Sequence, residues 1–253
     1  MQEISLDELL NGGFGLLKFA PETLLSEAER QDILLSLKKM PYTFEYEGMP
    51  PCWGKAFENF LTVADYLEET PADKFIQELS EKFNQKIVQI LENKGVVIST
   101  LQDPKSGKPY WTGNFRCVPI PANSTSLHVD DLRLDAHFFK SDFVLPTELE
   151  NKNFVQLYFL YHLENESVGT LRIYNRRYSA NDERFRLENN WQFADEAVGD
   201  AEFIDFEPQT GDFYLMTNQY FHDILGQQKA ASWLYYSVYL LYVPEEKRGY
   251  LYI

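Results

Sequence analysis

Cysteine is scarce in this chain. Two residues in 253, Cys52 and Cys117, form neither a disulfide framework nor a thiolate metal spacing, so both read as reduced thiols of a cytoplasmic protein. Positive charge is also short. Lys and Arg number 23 against 39 Asp and Glu, a net charge of −16. Such a chain lacks the basic footprint that a nucleic-acid backbone requires and is disfavoured at an anionic membrane surface. No uninterrupted apolar run approaches the length of a bilayer span. The acidic start, Met1 to Glu8, has neither the basic nor the apolar part of a signal peptide. Internal repeats, low-complexity tracts and linkers are absent too. The expectation is a soluble cytoplasmic protein whose partner is a small molecule, with no nucleic acid and no membrane; the oligomeric state stays open.

What remains is ample for a core. Hydrophobic residues make up 44% and aromatic residues 15% of the chain, so disorder is not the expectation. The length suits one domain, because barrels and sandwiches commonly reach it undivided. The 16 tyrosines and 19 phenylalanines concentrate in strand-like stretches, as β-propensity favours.

Ser5-Leu-Asp-Glu8 is a capping box for a short helix that Gly12-Gly13 stops, and residues 14–19 read as a strand. Ser26 opens a helix to about Lys39, ended by Pro41. Residues 42–60 are irregular and aromatic-rich, a packing wall more readily than a lid. Pro71 leads into a helix over residues 72–93, in which Phe75, Ile76, Leu79, Phe83, Ile87, Ile90 and Leu91 form one stripe. Gly95 ends it. Residues 96–101 and 234–243 read as strands, residues 114–127 as strand then turn, and residues 103–109 as a polar turn.

Chemistry concentrates on the histidines, of which there are four. His128-Val-Asp130 places an imidazole and a carboxylate two residues apart, on one face of an extended segment. His222 closes the run Gly211-Asp-Phe-Tyr-Leu-Met-Thr-Asn-Gln-Tyr-Phe-His222, which reads as turn, strand and loop. Two imidazoles and one carboxylate are the ligand set of a 2-His-1-carboxylate facial triad for non-haem Fe(II), with coordination positions left open. Taken alone, an H-x-D triplet reads as a surface feature and a lone histidine as a hydrogen-bonded core residue. His137 reads as such a residue more readily than as a substrate contact, and Asp131 as a solvated carboxylate more readily than as one that orients a ligand.

The segments around the triplet raise its weight. His128-Val-Asp130, Val155 to Leu163, Gly169 to Tyr174, Gly211 to Met216 and Phe221-His222-Asp223 occur in the order of the core of the Fe(II)/2-oxoglutarate-dependent dioxygenases. The chain most resembles the prolyl-hydroxylase-like branch and stand-alone bacterial oxygenases of small metabolites, over roughly residues 110–243. The resemblance implies an α+β chain with a double-stranded β-helix (jelly-roll) core, buttressed by N-terminal helices in residues 1–100. It implies a single oxygenase domain over 1–253, in which residues 178–200 are an insert over the active-site mouth. Implied as well are Fe(II), 2-oxoglutarate and O₂ as cofactor and co-substrates, and His128, Asp130 and His222 as the metal ligands and catalytic centre. Asp130 stands where halogenating relatives have glycine or alanine, which implies hydroxylation, desaturation or ring formation.

The chain departs from the family at one point. The family has an arginine shortly after the last histidine, paired with the distal carboxylate of 2-oxoglutarate, whereas here no arginine follows His222 before Arg248. Lys229 lies near the expected place, as a point charge rather than a fork, and reads equally as an exposed loop lysine. Arg116 and Arg172, on flanking strands, are the other candidates. Tyr161 and His162 are neighbours on one strand, so one of them faces the cavity. Relatives use a tyrosine here to contact 2-oxoglutarate, which assigns Tyr161. A peptide or protein hydroxylase and a non-enzymatic jelly-roll protein with a degenerate site are the alternatives.

Overall fold

The computed structural model describes residues 4–43, 51–55, 60, 62–68, 73–120, 127–131, 144–166, 169–188, 192–225 and 231–252. Lys229 and His137 lie outside the described residues.

The helices start where side chains can satisfy free backbone N–H groups. Helix α1 (Leu6–Leu10) and helix α2 (Glu27–Leu37) each carry a reciprocal capping box, Ser5 with Glu8 and Ser26 with Glu29. A short helix α3 (Val63–Glu68) follows, burying Val63 and Tyr66. Helix α4 (Lys74–Glu92) starts later than residue 72, because the Asp73 carboxylate accepts from the backbone N–H groups of Phe75 and Ile76. Its stripe of Ile76, Leu79, Phe83, Ile87 and Leu91 is buried. Gly95, at φ 76°, turns the chain out of it.

Eleven strands were found among the described residues, and they form two sheets. In the larger, the order is β1 (Leu16–Lys18), β8 (Phe213–Thr217), β5 (Val155–Asn165), β10 (Ala231–Val243), β11 (Arg248–Tyr252) and β3 (Val97–Thr100). Strand β4 (Asn114–Ile120) also pairs with β10, and β2 (Cys52–Trp53) pairs with β4. The smaller sheet runs β7 (Phe203–Phe206), β6 (Thr170–Arg177), β9 (Tyr220–Leu225). N-terminal residues therefore do more than buttress the core: β1 and β3 are strands of the large sheet.

Side-chain alternation sorts the layers. From β5, Leu157, Phe159 and Tyr161 pack against α1, α2 and α4, together with Tyr236, Val238 and Leu240 of β10. Tyr158 and Leu160 point the other way, and with Tyr235 of β10 they meet Leu171 and Ile173 of the small sheet. Phe83 anchors the helix side, its ring 4.4 Å from Tyr236, 5.5 Å from Phe115 and 5.8 Å from Tyr161. Gly113 makes this approach possible, since a Cβ there would lie 1.9 Å from the Tyr236 hydroxyl. Cys52 and Cys117 are both free. No helix among the described residues is long and apolar enough to cross a membrane.

Candidate metal centre

Register brings the triad together. In β9, His222 stands opposite Ile173 of β6, and antiparallel partners share a face, so His222 points into the space between the sheets. His128 forms a β-bridge to His222, with N–H to O distances of 3.0 and 2.9 Å in the two directions. Its neighbours Leu127 and Val129 alternate to the outer face, where they pack with Phe221. Asp130, two residues on, returns to the inner face. One donor atom from each of His128, Asp130 and His222 lies within 4.8 Å of the others. The imidazole centroids are 4.2 Å apart, and His222 Nε2 is 3.6 Å from Asp130 Oδ2.

The surroundings fix the protonation of these groups. Burial opposes the charge on Asp130, but contact with His222 and the fields of His222, His128 and Arg116 prevail and hold the carboxyl at about 2. Burial likewise opposes the protonation of His222, and contact with Asp130 turns the net shift upward. His222 Nδ1 lies 3.0 Å from the Tyr220 carbonyl oxygen. That carbonyl can only accept, so Nδ1 carries the proton and Nε2 presents its lone pair toward Asp130 when the ring is neutral. Two imidazole nitrogens and an ionised carboxylate, gathered on one face with their tautomer set from behind, suit a divalent transition metal.

Polar groups that sequence reasoning passed over surround the triad. Asn218 Nδ2 donates to Asp130 Oδ2 at 3.2 Å, and the Tyr239 hydroxyl donates to the same oxygen at 3.5 Å. Gln219 Nε2 donates to Asp131 Oδ2 at 3.1 Å. Asp131 is therefore a buried, hydrogen-bonded group and not a solvated one. The only sequence signal for Asn218 and Gln219 was two adjacent amides just ahead of the last histidine.

The described candidates for the co-substrate, Arg116, Arg172 and Tyr161, differ in the face they take. Arg116 pairs in register with Tyr235, on the inner face, and its charge acts on Asp130, Tyr235 and Tyr239. Arg172 does not face the centre. It alternates outward from Leu171 and Ile173, forms a two-point ion pair with Asp205 at 2.7 and 2.8 Å, and lies over the Phe203 ring. Tyr161 is likewise displaced: it belongs to the helix-facing core beside Phe83 and Phe213. His162 takes the inner face instead. It is fully buried, its Nε2 is 3.1 Å from the Tyr214 hydroxyl, its ring stands edge-on to Trp233, and burial holds its pKa at about 3.

The segment after β6 also differs from the expectation. Its described residues form two short turns of 3₁₀ helix, Ala180–Phe185 and Asp195–Ala197. Phe193, Ala197 and Val198 pack on Leu127, Val129 and Phe221, and Phe193 N donates to Leu127 O at 2.8 Å. This segment backs the triad from outside the small sheet; its described residues do not lie over the inter-sheet space.

With fold and site geometry in place, comparison with known proteins gives one positive result. No protein-family model matches the chain, and no curated protein does. Solved structures do match, and what the chain shares with them is the fold. It is similar to an N-substituted L-amino acid dioxygenase from Burkholderia ambifaria, with 14% identity, a TM-score of 0.53, and coverage of 91% of this chain and 84% of the other. The same dioxygenase in complex with alpha-KG gives 13% identity and a TM-score of 0.50, over the same shares. At such identity the likeness establishes the fold.

Proposed function

We propose that this chain is a non-haem Fe(II)- and 2-oxoglutarate-dependent oxygenase that hydroxylates or desaturates an unactivated C–H bond of a small molecule, such as an amino acid or a natural-product intermediate. The observation that carries this reading is the convergence of His128, Asp130 and His222 on the inner face of the small sheet. A fold shared with an amino acid dioxygenase crystallised with alpha-KG supports it. In this reading the two sheets are the halves of a double-stranded β-helix. In the same reading the chain is one domain, which the pairing of β1 and β3 with the large sheet supports.

His128, Asp130 and His222 would hold Fe(II), which with 2-oxoglutarate and O₂ supplies the oxidising chemistry that no side chain possesses. The chain's own part is positioning and exclusion. The Tyr220 carbonyl keeps the proton of His222 on Nδ1, leaving Nε2 as the donor. Arg116, the inward-facing cation, compensates a carboxylate of the co-substrate, which would be costly to bury unpaired. Tyr158, Leu160, Leu171 and Ile173 wall the space with apolar surface and limit water.

Anaerobic loading with Fe(II), followed by 2-oxoglutarate and O₂, tests the reading. The expected result is succinate in the parent and none in Asp130→Ala. A parent that holds Fe(II) yet forms no succinate, with or without small-molecule substrates, contradicts the proposal.

A further inference from the structure

The turn between β8 and β9 sets two consecutive amides against two consecutive carboxylates. Asn218 donates to Asp130, and Gln219 donates to Asp131. Turn residues are ordinarily solvated, yet Asn218 is 0% and Gln219 3% exposed. Burying amides is costly unless their hydrogen-bonding groups are used. Asn218 makes its one side-chain bond to Asp130 Oδ2, its Oδ1 being buried with no partner among the described residues; its backbone carbonyl accepts from Asp130 N at 3.2 Å, and its own N–H donates to Gln156 O at 3.3 Å. Gln219 Oε1 in turn accepts from Arg177 Nη2 at 2.8 Å and from Gln156 N at 3.4 Å. The turn is thus braced on β5 of the large sheet and on β6 of the small one.

This clamp acts on a degree of freedom that the strands do not control. Asp130 lies outside every strand, and the terminal torsion of an aspartate is broad, close to two-fold. Its backbone bond to Asn218 fixes where the side chain starts, and the amide bond fixes which way the carboxylate turns. An amide suits the task because it donates without adding positive charge beside a cation. We propose that Asn218 is a positioning residue of the candidate metal centre, setting the rotation of the Asp130 carboxylate toward the two imidazoles. The inference rests on the reading of His128, Asp130 and His222 as metal ligands.

The probe is Co(II), titrated anaerobically into the full-length protein and followed by calorimetry and by its visible d–d bands. Asn218→Ala removes the amide, and Asn218→Leu removes it while keeping its branched shape at a somewhat larger volume. Both variants are expected to bind Co(II) about 10- to 100-fold more weakly, the usual cost of losing a group that orients a ligand, with altered visible bands. The apo melting temperature of Asn218→Leu is expected to stay close to that of the parent. Parent-like affinity and bands in a folded variant overturn the proposal, whatever the melting temperature does. If the parent binds no Co(II), or His222→Ala binds it as tightly as the parent, the ligand assignment fails and this inference falls with it.

Discussion

Arg116 shows how much a single side chain's facing decides. Of the two described basic candidates for the co-substrate's carboxylate, Arg172 does not lie on the inner face, whereas Arg116 does, and there its field reaches Asp130. Replacing it with methionine is expected to raise the 2-oxoglutarate concentration for half-maximal succinate formation roughly 10- to 100-fold, the range for a hydrogen bond to a charged group. Co(II) affinity should hold or rise, because removing one cation relieves repulsion of another. Arg172→Met, which frees Asp205 on the outer surface, should behave like the parent; the reverse pattern would reassign the anchor. His162 gives a pH prediction. Burial depresses its pKa from 6.5 to about 3, so below 6.5 the unfolded chain takes up a proton that the folded chain refuses. Stability therefore falls as pH drops from 6.5 toward 3, by at most about 1.4 kcal/mol per pH unit. His162→Gln should flatten the decline in melting temperature between pH 6.5 and 5; an equally steep decline would mean that His162 is not the group responsible.

Among the elements, those with one buried face were legible in the sequence and those buried on both were not. Helix α4 announced itself by a stripe of apolar residues, of which Ile76, Leu79, Phe83, Ile87 and Leu91 are buried, while Phe75 is exposed and Ile90 half-buried. In β6, the alternation of Leu171 and Ile173 with Arg172 and Tyr174 already held the answer that Arg172 faces out. Strand β5 held no such answer. Nine of its residues in succession are buried, because helices cover one face and the small sheet the other, and a doubly covered strand loses its polar alternation. Choosing Tyr161 over His162 was therefore beyond the pattern. The turn carrying Asn218 and Gln219 was equally silent, since a turn has no periodicity to read. The segment behind β6 was recognised as an addition to the core, while its face was not. It contributes Phe193, 2% exposed and 5.1 Å edge-on to Phe221, the neighbour of His222. Phe193→Ala is expected to cost about 3–5 kcal/mol of stability and to weaken Co(II) binding, measured by denaturant unfolding and titration. Weakened unfolding with unchanged Co(II) affinity would show that this segment supports the fold and not the centre.

For the molecule as a whole, two sheets enclose an aromatic interior, and the triad sits where the small sheet faces it. The order of segments from His128 to His222 allowed this architecture to be anticipated, because each turn and strand kept its place along the chain. Residues 14–19 and 96–101 read as strands, but that β1 and β3 join the large sheet, and that β11 lies between β10 and β3, was not anticipated, because runs of three to five residues do not show which sheet they join. With a net charge of −16, the molecule carries many exposed carboxylates that attract divalent ions weakly, so metal binding as such proves little. Stoichiometry and its dependence on one inner histidine prove more. The most direct test is anaerobic Fe(II) titration of the parent beside His222→Ala. The account predicts one tightly held equivalent in the parent and its loss in the variant, with both proteins folded. A His222→Ala protein that holds Fe(II) as tightly as the parent would contradict it.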